Sequence, residues 1–155
     1  FYNKENRLKI NQWLMAQMAY VGPLIGQHHQ FHHYNPGKSK FGEDRYFKIT
    51  KIIYKDLDER LGYSKFLAGN NYTIADIAIW SWYGALVLGR LYGAEEFLDV
   101  KSYKNVLRWA KFINERPAVK RGRMVNKISG YPGSQLHERH DASDFQNKTQ
   151  DKIEN

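Results

Sequence analysis

Tyr72-Thr73-Ile74-Ala75-Asp76-Ile77 is the stretch on which the fold turns. Thr73 and Asp76 stand three apart at the head of an apolar run. In that spacing the threonine can cap a free backbone N–H near Asp76, and the carboxylate can reach back to the N–H of Thr73. Tyr72 can pack on Ile77 as a hydrophobic staple, and the acid lies in the first turn, where the positive end of a helix favours it. Beyond the box, Ile77, Ala78, Ile79, Trp80, Trp82, Tyr83, Ala85, Leu86, Val87 and Leu88 are apolar on nearly every side. Length and cap favour a helix over a strand, and the all-round apolar character predicts a central helix surrounded by others, with Trp80, Trp82 and Trp109 in the core.

Upstream, over residues 3–25, Ile10, Leu14, Met18, Val21 and Ile25 recur at three or four positions, as one buried helical stripe requires, and Trp13, Met15 and Leu24 widen it. Gly22-Pro23 should bend or shorten the end of that helix, since proline lacks a donor and restricts the residue before it. A loop is expected over residues 28–40, around His28-His29, His32-His33 and Pro36-Gly37. Ile49, Ile53, Leu57 and Leu61 then predict a second helix over 42–61, with Gly62 as a left-handed stop. Downstream, residues 94–98 read as a short helical turn. Ser102 offers a cap to a helix reaching about residue 115, with Arg108 on its solvated side, and Arg116-Pro117 marks the boundary to a further short helix. From Ser129 periodicity fades. The organisation expected is an all-α bundle of about five main helices over residues 1–128 and an irregular wrapping tail over 129–155, loose from about residue 149.

Composition bounds the rest. A chain of 155 residues is long enough for one real core, and 24 Lys and Arg against 16 Asp and Glu give a formal charge of +8. That field attracts anions without choosing among them. There is no cysteine, which excludes a disulfide framework and a thiol nucleophile carried by this chain, and a reducing, cytoplasmic setting is the ordinary expectation. No apolar run approaches the ~20 residues a membrane span needs, so a water-soluble domain is expected.

Phe66-Leu67-Ala68-Gly69 followed by Tyr72-Thr73-Ile74-Ala75-Asp76 resembles the capping signature that opens the central helix in glutathione transferases. Further pieces are Trp13-Leu14-Met15-Ala16-Gln17-Met18, Phe31-His32-His33-Tyr34-Asn35-Pro36, Arg45-Tyr46, Arg108-Trp109-Ala110, Arg116-Pro117-Ala118-Val119-Lys120-Arg121-Gly122 and the run from Leu136-His137-Glu138 to Asp144-Phe145. Together they span nearly the whole chain and resemble the bacterial nu-class, disulfide-bond oxidoreductase type. The resemblance implies the C-terminal domain of a glutathione transferase, facing a thioredoxin-like N-terminal domain that nothing here matches. It further implies glutathione as co-substrate, a small electrophile or disulfide as second substrate, and a homodimer of the full-length protein. It places Gln17 and Arg45 near the inter-domain cleft as contacts to a second glutathione, and Tyr20, Phe31, His33 and Tyr34 on the wall of the second-substrate pocket. It assigns no catalytic residue to this chain, whose isolated form is expected to be inactive. The rival of another class is a non-catalytic, transferase-like domain used for dimerisation or partner binding.

Two other readings carry less. His28/His32 and His29/His33 are spaced by four, yet zinc normally needs further ligands at recognisable intervals, so pocket lining or packing is the simpler account, and no metal is expected. His137 and His140 flank Glu138 without the HExxH order. Lys101, Lys104, Arg108, Lys111, Lys120, Arg121, Arg123 and Lys127 form the densest basic region. No nucleic-acid reading motif accompanies them, and a solvated face or an anion-attracting surface is expected instead.

Overall fold

A computed structural model describes residues 1–2, 4–90, 98–125, 127, 130–131 and 134. Most of the turn expected at 94–98, and nearly all of the tail with its Leu136, His137, His140 and Phe145, lie outside the described residues. The described residues are all-α: α1 (Arg7–Ala16), a π-helical turn (Gln17–Val21), α2 (Gly22–His29), a second π-helical turn (Gln30–Tyr34), α3 (Lys40–Tyr63), α4 (Ile74–Val87), a 3-10 turn (Val100–Ser102), α5 (Lys104–Asn114) and α6 (Pro117–Gly122). No strand occurs among them, and Phe66 and Gly69 form an isolated bridge. Two compact units follow one another along the chain, Phe1–Lys111 and Phe112–Asn155.

The Thr73/Asp76 capping box forms as the sequence predicts. Asp76 does more than cap: its fully buried carboxylate accepts from Thr73 N (3.0 Å), Thr73 Oγ1 (3.1 Å), Leu67 N (3.0 Å) and Trp109 Nε1 (2.9 Å). Four donors around one carboxylate offset the cost of taking its charge out of water. The bond from Trp109 also ties α5 to the start of α4. Tyr72 packs edge-on against Phe1 and at a tilt against Phe66, while Ile77 remains 40% exposed.

Within α4 the inward face is Ile79, Trp80, Tyr83, Leu86 and Val87, and Trp80 donates its indole N–H to the Ala110 carbonyl at 3.1 Å. Trp80 and Trp109 are core, as expected. Trp82 is not: it is 68% exposed. Two residues along a helix turn the side chain by about 200°, so Trp82 points opposite to Trp80, and α4 is not enclosed on every side.

The first stripe also departs from its expected register. Ile10, Val21 and Ile25 are buried, but Met18 is 71% and Met15 64% exposed, and Gln17 takes the inward place. Pro23, having no N–H and crowding the carbonyl four residues back, cannot continue an α-helical ladder. The chain instead widens into a π turn, closed by the bond from Gly22 N–H to Gln17 O, and the extra residue rotates the face that follows. The helical backbone does not stop there, and Pro23 sits in the first turn of α2. The expected loop over 28–40 is mostly helical as well, since α2 runs on through the second π turn, closed by Asn35 N–H to Gln30 O at 3.1 Å. Pro36-Gly37 then turns the chain, with Gly37 at φ 76°, and Ser39 caps α3 by accepting from Gly42 N at 3.1 Å.

At its other end α3 passes Gly62 and stops at Tyr63, where Ser64 is extended (φ −152°, ψ 159°). A left-handed glycine cap is unnecessary because Arg108 donates to the carbonyls of Leu61 (2.8 Å), Ser64 (3.3 Å) and Lys65 (3.3 Å). In return Asp58 of α3 accepts from the backbone N–H groups of Asn105 (2.7 Å) and Val106 (2.9 Å) at the start of α5. Each helix thus satisfies the orphan groups at the end of the other. Ser102, the expected cap, donates instead to Asp99 O at 2.8 Å. In the second unit α6 begins after Arg116, which is extended ahead of Pro117 as expected, and Lys120 pairs with Glu115 at 2.6 Å.

Candidate functional site

Five of the six candidate site residues ride on the two π turns: Gln17 and Tyr20 on the first, Phe31, His33 and Tyr34 on the second. A π turn is wider than an α turn and presents its side chains off the regular helical register, a geometry that recurs at functional sites. The first is pinned from α4, where the buried Tyr83 hydroxyl donates to the carbonyls of Gly22 (3.0 Å) and Val21 (3.3 Å). Burial raises the Tyr83 pKa to about 12, so this donor keeps its proton throughout the neutral range.

Gln17 is 5% exposed, and its Oε1 has no hydrogen-bond partner. Its amide lies against Gly22, where an added Cβ would come within 2.9 Å of Gln17 O and 3.1 Å of Nε2. It lines an open groove of about 310 Å³ together with Met18, Gly22, Pro23 and Trp82. Sequence reasoning missed the three apolar members of that wall. The available signal was the seven-residue interval from Ile10 to Gln17, almost two α-helical turns, which puts Gln17 on the buried face with Ile10 and Met18 about 80° round from Ile10. Tyr20 points elsewhere, to Asp56 of α3. Partial burial, then the charge of Asp56 and its hydrogen bond, raise the Tyr20 pKa.

The second cluster surrounds the start of α3. Phe31 stacks on Tyr46, with ring centroids 5.4 Å apart, and covers Gly42, where a Cβ would lie 2.6 Å from the ring. Glycine is therefore required beneath that ring. His33 and Tyr34 are exposed and meet edge to face at 4.9 Å. Arg45, also exposed, precedes Tyr46 near the start of α3. The groove that takes Gln17 includes neither Arg45 nor any member of this cluster.

Among the histidines, His28 is 2% exposed, stacks on His32 at 5.2 Å and meets Phe47 at 6.1 Å. Burial first, then His32 and His29, lower its pKa to about 4. His29 is shifted the same way by burial and by His33. Among the described residues no three His, Asp or Glu side chains converge as a metal site, and no helix is long and apolar enough to cross a membrane.

The match to known proteins follows the same elements. The family described as Glutathione S-transferase, C-terminal domain, matches residues 22–117. The disulfide-bond oxidoreductase YghU of Escherichia coli is 51% identical over 140 residues, which are 90% of this chain and 48% of that protein. The crystal structure of the glutathione transferase YghU from Streptococcus pneumoniae, complexed with glutathione, superposes with a TM-score of 0.75 at 39% identity, covering 88% of this chain and 50% of that one. A glutathione transferase from Burkholderia graminis, with two glutathione molecules bound per subunit, superposes with a TM-score of 0.73 at 32% identity, covering 82% of this chain and 53% of that one. The chain spans about half the length of the relatives it matches.

Proposed function

The chain belongs to the glutathione S-transferase family through its C-terminal domain, and from that membership we propose that it is the helical half of a glutathione-dependent disulfide reductase or transferase. The observation that carries the reading is the second π turn, which holds Phe31, His33 and Tyr34, with Phe31 stacked on Tyr46, the residue that follows the exposed Arg45 in α3. Likeness to structures that hold glutathione, in one case two molecules per subunit, supports glutathione as the co-substrate. Arg45 would pair with a glutathione carboxylate through its fork of donors, and Gln17 would offer an amide contact. Tyr20, Phe31, His33 and Tyr34 would line the second-substrate side. The partners that complete the enzyme are a thioredoxin-like N-terminal domain and a second copy of the full-length protein.

The chain holds no cysteine and so brings no sulfur of its own, and in this reading glutathione is the nucleophile. Its thiolate attacks one sulfur of a disulfide, forming a mixed disulfide and releasing the other sulfur as a thiolate that takes a proton from solvent. A second glutathione then attacks the mixed disulfide at the glutathione sulfur, yielding glutathione disulfide and the second free thiol. The isolated chain should show no turnover. A product carrying both halves should be retained on immobilised glutathione and reduce a small disulfide when glutathione is supplied. Absence of both would leave the transferase-like scaffold without its chemistry.

A further inference from the structure

We propose that His28, stacked on His32 at the end of α2, is a proton-operated latch that holds the second π turn closed while its ring is neutral and releases it when the ring is charged. The His28 and His32 rings lie 5.2 Å apart with their planes inclined at 19°, and the His29 ring stands 5.9 Å from His28. Residues four apart share a helix face, which brings the first pair together. His28 is only 2% exposed and meets Phe47 of α3 at 6.1 Å. A neutral imidazole suits that place. A charged one does not, since it would lose its water while facing other imidazoles. The lowered pKa of His28, set first by burial and then by His32 and His29, agrees with the packing.

From α3, which packs on both α2 and the second π turn, Phe47 faces His28 and Tyr46 faces Phe31. The charged side chains of that stretch are engaged or solvated: Glu43 accepts from Gly37 N, Asp44 pairs with Lys40 at 3.3 Å, Lys51 donates to Leu98 O at 3.2 Å, and Arg45 and Lys48 are exposed. On the first π turn Tyr20 is turned to Asp56. The charges that act on His28 are those of His32 and His29, and His33 acts on His29. When His28 takes a proton, the second π turn is the neighbour that yields. It is closed at one carbonyl, Gln30 O, which accepts from Asn35 N–H (3.1 Å) and Asn35 Nδ2 (3.3 Å), and the chain turns soon after at Gly37. A widened turn held in this way opens at less cost than an α-helix held along its length. Opening lifts Phe31 from Tyr46 and uncovers Gly42, and it displaces His33 and Tyr34. The latch is a property of this chain; only its consequence for a second substrate rests on the glutathione reading.

The test is a magnetic-resonance titration of this chain without glutathione, or of a product carrying both halves should the chain alone not fold. With 6.5 for the opened ring and about 4 for the closed one, opening should become about twentyfold more favourable from about pH 7 to about pH 5. Amide exchange at residues 31–35, corrected for its intrinsic pH dependence, should quicken by that factor. The Gly42 α-proton beneath Phe31 should lose its ring-current shift over the same range, while the indole N–H signals of the buried Trp80 and Trp109 hold their positions. His28→Phe keeps a ring between His32 and Phe47 with no proton to gain, and should abolish both changes. Should that variant not fold, His32→Gln, at an exposed position, should reduce the quickening, because His28 then loses one of the charges that oppose its own. A turn that does not respond to pH overturns the proposal. So does an unchanged response in His28→Phe or an undiminished one in His32→Gln. Loss of the Trp80 and Trp109 signals together with that of Gly42 overturns it too, since the whole bundle then responds rather than the turn. Retention of the two-half product on immobilised glutathione is scored apart. Failure of retention removes the glutathione reading and leaves the latch standing, whereas a pH-insensitive turn removes the latch and leaves retention untouched.

Discussion

Asp76 is the residue whose loss should hurt the fold most. Replacing it by alanine strands the Thr73 and Leu67 N–H groups and the Trp109 indole in a buried site, each at about 1–3 kcal/mol. Asp76→Ala should therefore cost well over the ~0.5–2 kcal/mol that Thr73→Ala costs as a lost cap, a ranking that urea unfolding would check. The pair was legible in the sequence because capping is local; that the same carboxylate also receives Trp109, 33 residues on, was not. His28 gives the pH dependence. Its folded pKa, about 4, lies below the ordinary 6.5, so on acidification the unfolded chain takes up a proton that the folded chain refuses. Stability should fall as pH drops from 6.5 toward 4 and show no further loss from this group below that. His28→Leu should flatten that part of the profile in thermal melts, and an unchanged slope would count against the buried imidazole as its source.

Among the elements, α3 and α5 are joined by exchange of caps. Asp58→Ala frees the first N–H groups of α5 and Arg108→Ala frees the last carbonyls of α3, each expected to cost about 1–2 kcal/mol. Because both fasten the same joint, the double variant should lose less than the sum, which a double-mutant cycle by denaturant unfolding measures. Periodicity assigned Arg108 to water and Ser102 to the cap, since a sequence pattern sees neighbours at three and four but not a carboxylate 47 residues away. The π turns are the other element-level departure. Tyr83→Phe removes the hydroxyl that holds the carbonyls of Val21 and Gly22, at a cost of about 1 kcal/mol. Hydrogen exchange should then quicken over residues 17–22 more than in α3. Uniform quickening would show that the tyrosine supports the bundle rather than this turn.

For the molecule as a whole, the formal charge of +8 and the glutathione reading meet at Arg45. In a product carrying both halves, Arg45→Ala should weaken retention on immobilised glutathione, and Arg45→Lys should restore it only in part, because a point charge cannot reproduce a bidentate contact. Equal retention by all three proteins would place the carboxylate elsewhere. The sequence by itself determined the all-α class, the central helix with its Thr73/Asp76 box, the break at Arg116-Pro117 and the family, since each is written in short-range spacing or in motifs spread along the chain. Only the tertiary structure decided that Met18 and Trp82 face outward, that Gln17 sits buried beneath a groove, and that α3 and α5 cap one another. Those outcomes depend on which helix faces find partners, and that is settled by contacts between segments that periodicity within one segment does not contain.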